Sequence, residues 1–302
     1  MSQDLHTQIT AKIVAQLEQG AAPWHKPWQE GDRNVSFELP VNVASGKRYR
    51  GINIPLLWLG EFPTNEFGTF KQWSERKEVI RKGSKGTTVV YYDFIEKQKE
   101  GKEEIDKIPF LKTYNVFNRS QLQSYKEEEP LPRPTVSFEQ IQHIDQFIDN
   151  TGAVIEFGGD KAYYGFKSDK IVMPDRNLFT GTPTQTITES IYATLAHELT
   201  HWTGPEKRLG RDMGKRFGDK KYAGEEIVAE MGSAFLSADW GIADAPRPDH
   251  AQYIANWLQL LTDNKKAIFQ ASSEASKAFE YLQNFQTQSR NSAVNTHANT
   301  LH

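Results

Sequence analysis

The stretch TLAHELTHWTG, residues 194–204, sets two histidines four residues apart with a glutamate beside the first, inside an apolar run. At about 100° per residue, Ile187, Ile191, Leu195, Leu199 and Trp202 fall in one stripe, which predicts a helix over roughly 185–203. His197 and His201 lie together roughly 100–140° around from the centre of that stripe, so they are predicted to sit off the core face. Four-residue spacing lets both imidazoles reach one ion, and neutral nitrogen donors suit zinc, with another divalent metal such as manganese as the alternative. Glu198, adjacent to His197, is then placed to act as a general base without ligating. The competing reading is a solvent-exposed histidine pair that holds nothing.

A catalytic zinc commonly has three protein ligands and an open position, so a third donor is required. A metzincin spacing would put it three residues beyond Gly204, where the chain has Lys207. The following helix, YAGEEIVAEMGSAFLSADWG at 222–241, offers Glu225, Glu226 and Glu230. With Ile227, Met231, Ala234, Phe235 and Ala238 marking the buried stripe, Glu226 and Glu230 share one flank and Glu225 lies on the other. Glu226 is therefore the predicted third ligand, and Glu230, one turn on, the predicted hydrogen-bond partner of a ligand histidine. The competing reading is that all three are solvated helix charges, the usual fate of glutamate.

Outward from this helix, 302 residues suggest two domains. The stretch YKEEEPLPRPT at 125–135, where acids and prolines interrupt the pattern, predicts the linker. The expected division is 1–130 and 135–286, with a polar, disordered tail at 287–302. The front half reads as α+β, from a helix marked by Leu5, Ile9, Ile13 and Leu17, short helices at 54–62 and 69–77, and strands near 38–43, 87–94 and 109–117. The back half reads as mainly helical with a small sheet. A capping box at Ser137 and Gln140 opens a helix with Phe138, Ile141, Ile144 and Ile148 inward. Strands VIEF and DKIVMP follow, then helices at 185–203, 219–240 and 249–285, the last broken near Ser272–Ser273. The fold class is α+β.

Zero cysteines excludes disulfides, thiol nucleophiles and Cys-ligated metal. No apolar run approaches the roughly 20 residues of a membrane span, and no secretory signal is visible, so a cytoplasmic protein without membrane contact is expected. The net charge of −3 argues against wholesale nucleic-acid coating, although the sum divides into +2 for residues 1–134 and −5 for the rest.

Local patches in the front half suit a single strand of nucleic acid, which needs cations along its phosphates and flat side chains under its bases. KRYRG at 47–51 contributes Arg48, Tyr49 and Arg50; FKQWSERKEVIRKGSKG at 70–86 contributes Lys71, Trp73, Arg81, Lys82 and Lys85. The alternative is a solvated charged face with Phe70 and Trp73 in the core. In PWHKPW at 23–28, core packing is the expectation for Trp24 and Trp28, and His25 has no neighbouring donor for a metal. No cluster of carboxylates suggests two-metal phosphoryl chemistry.

The runs IYATLAHELTHWTG and YAGEEIVAEMGSAFLSADWGI together resemble the zincin-like metallopeptidase domain of ArdC-type antirestriction proteins of conjugative plasmids. LEQGAAPWHKPW, GKRYRGINIPLLW, GTFKQW and RKGSKGTTVVYYDF resemble that family's N-terminal domain, which is associated with single-stranded DNA binding and shared with plasmid primases. The likeness covers roughly residues 5–285. It implies His197 and His201 as metal ligands, Glu198 as catalytic acid/base, the EEIVAE run as source of the third ligand, and peptidase activity. The implied role is protection of incoming conjugative DNA, with single-stranded DNA and host restriction enzymes as partners. Oligomeric state is left open.

Overall fold

The structure, a computed structural model, describes residues 5–20, 22, 24, 37–98, 105–126, 136–182, 185–214, 220–242 and 250–299. Contacts divide the chain into Arg33–Leu131 and a second unit of Met1–Asp32 with Pro132–His302. The first helix, α1 (Leu5–Glu18), thus belongs with the C-terminal half, not with the front domain in which the sequence reading placed it. The cause is where its apolar stripe finds cover. Ile9, Ile13 and Leu17 are buried, the Thr10 hydroxyl donates to the Lys265 carbonyl at 2.7 Å, and the buried Trp24 ring lies 6.0 Å from that of Trp257. Trp28 and His25 lie outside the described residues, as does 127–135 of the expected linker.

The middle unit holds β1 (Val41–Asn42), α2 (Asn53–Trp58), β2 (Glu66–Thr69), α3 (Phe70–Glu75), β3 (Thr87–Gln98) and β4 (Ile105–Asn118) in a sheet of order β1-β2-β4-β3. β1 and β2 are parallel; the other pairs are antiparallel. The β-branched Val89 and Val116 meet Leu57 and Phe67 in one core cluster, while Val43, Trp73 and Leu122 form another. β3 is an edge strand, and Asn53 blunts it: its carboxamide donates to the Val90 carbonyl and accepts from the Val90 amide, both at 2.8 Å. β2 escaped the sequence reading because it is four residues long with a glycine inside. Gly68 is required there, since a Cβ would lie 2.6 Å from Val43 Cγ1 and 3.1 Å from the Trp73 indole nitrogen. α3 starts where a capping box, Thr69 with Gln72, satisfies the first free amides.

The C-terminal half continues with α4 (Phe138–Thr151), β5 (Val154–Phe157), β6 (Tyr163–Gly165), β7 (Lys170–Met173), α5 (Ile187–Trp202), α6 (Lys220–Trp240), α7 (His250–Asp263) and α8 (Ala267–Asn299). The sheet order is β5-β7-β6, parallel then antiparallel. The capping box of Ser137 and Gln140 is present, yet Phe138 is exposed instead of inward. The break between the last two helices falls at Asn264–Lys266 and not at Ser272–Ser273. Ser272 is buried within α8 and donates to the Phe269 carbonyl, so the serines continue the helix. The polar tail expected to be disordered is helical as far as Asn299.

α6 packs on both α5 and α8, so it is covered on nearly every side. Its crossing with α5 depends on small residues. A Cβ at Gly232 would lie 2.4 Å from Thr200 Oγ1 and 2.5 Å from Thr200 Cγ2, and the Ser233 hydroxyl donates to the Ala193 carbonyl at 2.9 Å. Thr200 has little freedom to yield, because its hydroxyl is bonded to the Ala196 carbonyl at 2.9 Å. Gly232→Ala is therefore expected to lower folding stability by about 1–3 kcal/mol, read from the denaturant midpoint, despite alanine's better helix propensity.

Candidate metal centre

α5 begins at the capping box of Thr186 and Glu189 and carries the two histidines in its third and fourth turns. His197 Nε2 and His201 Nε2 stand 3.2 Å apart. Across from them, on α6, the two carboxylate oxygens of Glu226 lie 3.5 Å from His197 Nε2 and 3.5 Å from His201 Nε2. The three side chains offer donor atoms all within 4.8 Å of one another. The histidines do lie away from the leucine stripe, yet His197 is 2% exposed. The face that looked like solvent in projection is covered by α6, and the opposed carboxylate makes that burial tolerable. Glu198 is buried on the same helix.

The carboxylates behind the histidines differ in part from the sequence reading. Glu230 Oε1 lies 3.6 Å from His197 Nδ1, an ion-pair distance longer than a hydrogen bond. Glu225, assigned to the far flank and to no task, is 3.1 Å from His201 Nδ1. The histidines are one turn apart, so glutamates on both sides of Glu226 come within reach of one imidazole each. Arg211, from the loop after α5, fixes Glu225 in a two-point grip, with Nε donating to Oε2 at 3.0 Å and Nη2 to Oε1 at 2.8 Å. The same guanidinium donates to the Thr203 hydroxyl and the Thr200 carbonyl, both at 2.7 Å, closing the C-terminal end of α5. No sequence pattern pointed to Arg211; a lone arginine ten residues past His201 has no periodicity to read. Lys207, which excluded the metzincin spacing, pairs with Asp169 at 2.6 Å.

Burial opposes charge on every one of these groups, and the partners overcome it. For His201, burial works against the imidazolium, but Glu225 and Glu226 hold the proton on and raise its pKa to about 10. Burial pushes the Glu226 carboxyl up, and the two histidines more than reverse this, holding it well below the usual carboxylate range. Glu225 is likewise lowered by His201 and Arg211 against its own burial. The Tyr222 hydroxyl is pushed far up, first by burial and then by the negative charge of Glu226. That phenol is neutral at any ordinary pH and stands beside the candidate ligand.

The arrangement fits a divalent ion. A carboxylate behind each Nδ1 favours the tautomer with the proton on Nδ1, which leaves two Nε2 lone pairs 3.2 Å apart. Two such lone pairs repel unless a cation or a proton lies between them. At the zinc–imidazole bond length of about 2.0–2.1 Å, nitrogens at this separation subtend about 100°, near the tetrahedral angle. An ion with longer bonds sees the pair closer to a right angle, so the donors admit zinc and manganese alike. Two imidazoles and one carboxylate leave room for a further ligand.

Comparison with known proteins agrees with this geometry. A family model described as the N-terminal domain of anti-restriction factor ArdC matches residues 3–117, and one described as a zincin-like metallopeptidase matches residues 142–274. The metal-free crystal structure of the antirestriction ArdC protein from plasmid R388 is similar over 94% of this chain and 98% of its own, with 37% identity and a TM-score of 0.76. The chain belongs to the ArdC antirestriction family. The Mn(II)-bound structure of the same R388 ArdC protein gives a TM-score of 0.71 over 93% of this chain and 98% of its own. A further relative of this ArdC-family chain, the uncharacterized protein y4eC of Sinorhizobium fredii, is 33% identical over 302 residues, 96% of this chain and 95% of its own length. DNA primase TraC of Escherichia coli is 33% identical over 298 residues, which is 93% of this chain but 20% of TraC. The zincin-like fold and the manganese in the R388 relative support a divalent metal here.

In this ArdC-family chain the nucleic-acid candidates lie within Arg33–Leu131 and are spread over several elements. Trp73 does not serve as a base platform: it is 3% exposed, and its indole N–H donates to the Phe117 carbonyl at 2.9 Å. Arg81 is exposed, but its guanidinium donates to the Leu122 and Ser120 carbonyls. Tyr49 is half-buried, accepts from the Asn42 carboxamide, and has its pKa raised by burial. Arg48, Arg50, Lys71, Lys82 and Lys85 are exposed. Phe70, weighed in the sequence as core, is 66% exposed. No helix among the described residues is long and apolar enough to cross a membrane.

Proposed function

We propose that this chain protects incoming single-stranded DNA from restriction, with Arg33–Leu131 binding the strand and the C-terminal half acting as a metal-dependent peptidase. The observation that carries the second part is the convergence of His197, His201 and Glu226 with a buried glutamate, Glu198, in the same turn of α5. Zinc is the favoured ion and manganese the alternative, held by those three side chains. When bound, it supplies a Lewis acid that polarises a carbonyl and makes water a stronger acid. Glu198 takes the proton from the attacking water and delivers it to the leaving amine. Glu225 holds the His201 imidazole with its Nε2 turned inward, and the charge of Glu230, at ion-pair distance from His197 Nδ1, favours the same orientation there. Tyr222, neutral and beside Glu226, is a candidate donor to the substrate oxygen. Host restriction enzymes are the protein partners this reading implies, in the cytoplasm of the recipient cell.

Two measurements test it. Elemental analysis of the purified chain is expected to find one divalent ion per molecule, lost in His197→Ala. Glu198→Ala is expected to retain the ion and to reduce conjugative transfer into a restricting recipient to the level seen without the protein. Full protection by that variant would mean the ion stabilises a binding module and that no proteolysis is involved.

A further inference from the structure

The β3–β4 ladder carries two exposed rings, Tyr91 near the end of the RKGSKGTTVVYYDF run and Tyr114 on the partner strand. Val89 pairs with Tyr114 and Tyr91 with Lys112, and residues paired across an antiparallel ladder project from the same face. That face therefore runs Thr87, Val89, Tyr91 on β3 against Val116, Tyr114, Lys112 on β4. One end of it is core, where Val89 and Val116 meet Leu57 and Phe67. At the next positions the cover ends: Tyr91 is 57% exposed, Tyr114 is 45% exposed, and Lys112, also exposed, stands directly across from Tyr91.

Diagonal neighbours on a ladder lie about 7–8 Å apart, a separation that an extended single strand with its bases splayed can follow. A nucleobase needs a flat apolar partner for its face, and the phosphate beside it needs a cation. Two rings and a lysine on one two-stranded ribbon provide both. A duplex keeps its base faces stacked on one another and has none to offer. An apolar protein surface is a poorer match, because the exposed residue that shares this face with the two rings is a cation, Lys112.

We propose that Tyr91 and Tyr114 form the base-stacking platform of a single-stranded DNA site, with Lys112 at a phosphate between them. The assignment rests on the single-strand reading given above, and it replaces the buried Trp73 as the source of stacking. Stacking does not depend on base identity, so the site reads no sequence.

The test is fluorescence anisotropy of the full chain with a labelled oligothymidylate. Tyr91→Ala and Tyr114→Ala are each expected to weaken binding about tenfold, and the pair more, while phenylalanine at either position retains affinity. Ring substitutions leave the dependence of log affinity on log salt unchanged, whereas Lys112→Ala lowers its slope by about one phosphate contact. If the unsubstituted chain does not bind the oligonucleotide, the single-strand reading itself fails. If it binds and the double alanine variant binds equally well, the platform is overturned while single-strand binding stands. Phenylalanine variants as weak as the alanine ones would also overturn it, because the hydroxyl would then be the contact. Independently of variant folding, photo-crosslinking of an iodouracil-substituted oligonucleotide to the unsubstituted chain is expected to label Tyr91 or Tyr114, and labelling elsewhere alone counts against the site.

Discussion

The affinity of the chain for its metal is expected to rise about tenfold per pH unit, amounting to about a hundredfold between pH 7 and 9. The cause is the proton on His201. Between Glu225 and Glu226 that imidazole keeps its proton up to about pH 10, and a ligating Nε2 cannot hold one. Binding must therefore expel it, so each unit of pH below 10 costs a factor of about ten in apparent affinity. Titration calorimetry in buffers of different ionisation enthalpy checks this directly, with about one proton released per ion at pH 8. A pH-independent affinity, with no proton released, would mean that His201 is neutral in the empty site. The same group makes an opposite prediction for the metal-free chain. Its folded pKa is raised above the unfolded 6.5, so its contribution to stability is complete below about 6.5 and is lost as pH rises towards 10. Metal-free melting temperatures are thus expected to fall across the window in which metal binding strengthens.

What the sequence disclosed and what it withheld divide along a physical line. The pair His197 and His201 was legible because a motif with fixed spacing on a helix determines its own geometry. Glu226 was legible because the stripe of α6 gives its angle. The task of Glu225 was not, since helical projection treats a helix as having one inner face, and α6 packs against both α5 and α8. The helices α5 and α6 were located to within about two residues at each end. The four-residue β2 and three-residue β6 were missed, as segments too short to show alternation. The helix break was misplaced because two adjacent serines look like an interruption, whereas Ser272 returns its hydrogen bond to the helix. The allegiance of α1 to the C-terminal half was invisible for a different reason. An amphipathic stripe announces that it will be covered, and nothing in it identifies the cover.

Once corrected for the competing proton that Glu225 helps to hold on His201, metal affinity is expected to be weaker by about 10–100-fold in Glu225→Ala, with no ligand removed. The loss comes from the imidazole of His201, which would no longer be fixed in orientation or held in the Nδ1–H tautomer. Arg211→Met should reproduce much of this effect through a longer chain of contacts. The guanidinium grips Glu225 at two points and also closes the end of α5 at the Thr200 carbonyl, so its removal leaves Glu225 buried with a partner missing. Arg211→Lys discriminates between the parts of this argument. A lysine keeps the charge but cannot make the two-point contact, so it is expected to recover some affinity and not all of it. Competition with a chromophoric chelator measures the constants, and the d–d spectrum of the cobalt-substituted protein reports the ligand geometry. If Glu225→Ala and Arg211→Met bind metal as tightly as the parent and leave the cobalt spectrum unchanged, the two residues brace the fold and do not orient His201. If the single losses together exceed the loss in the double variant, the two act as one unit, which the shared hydrogen bonds require.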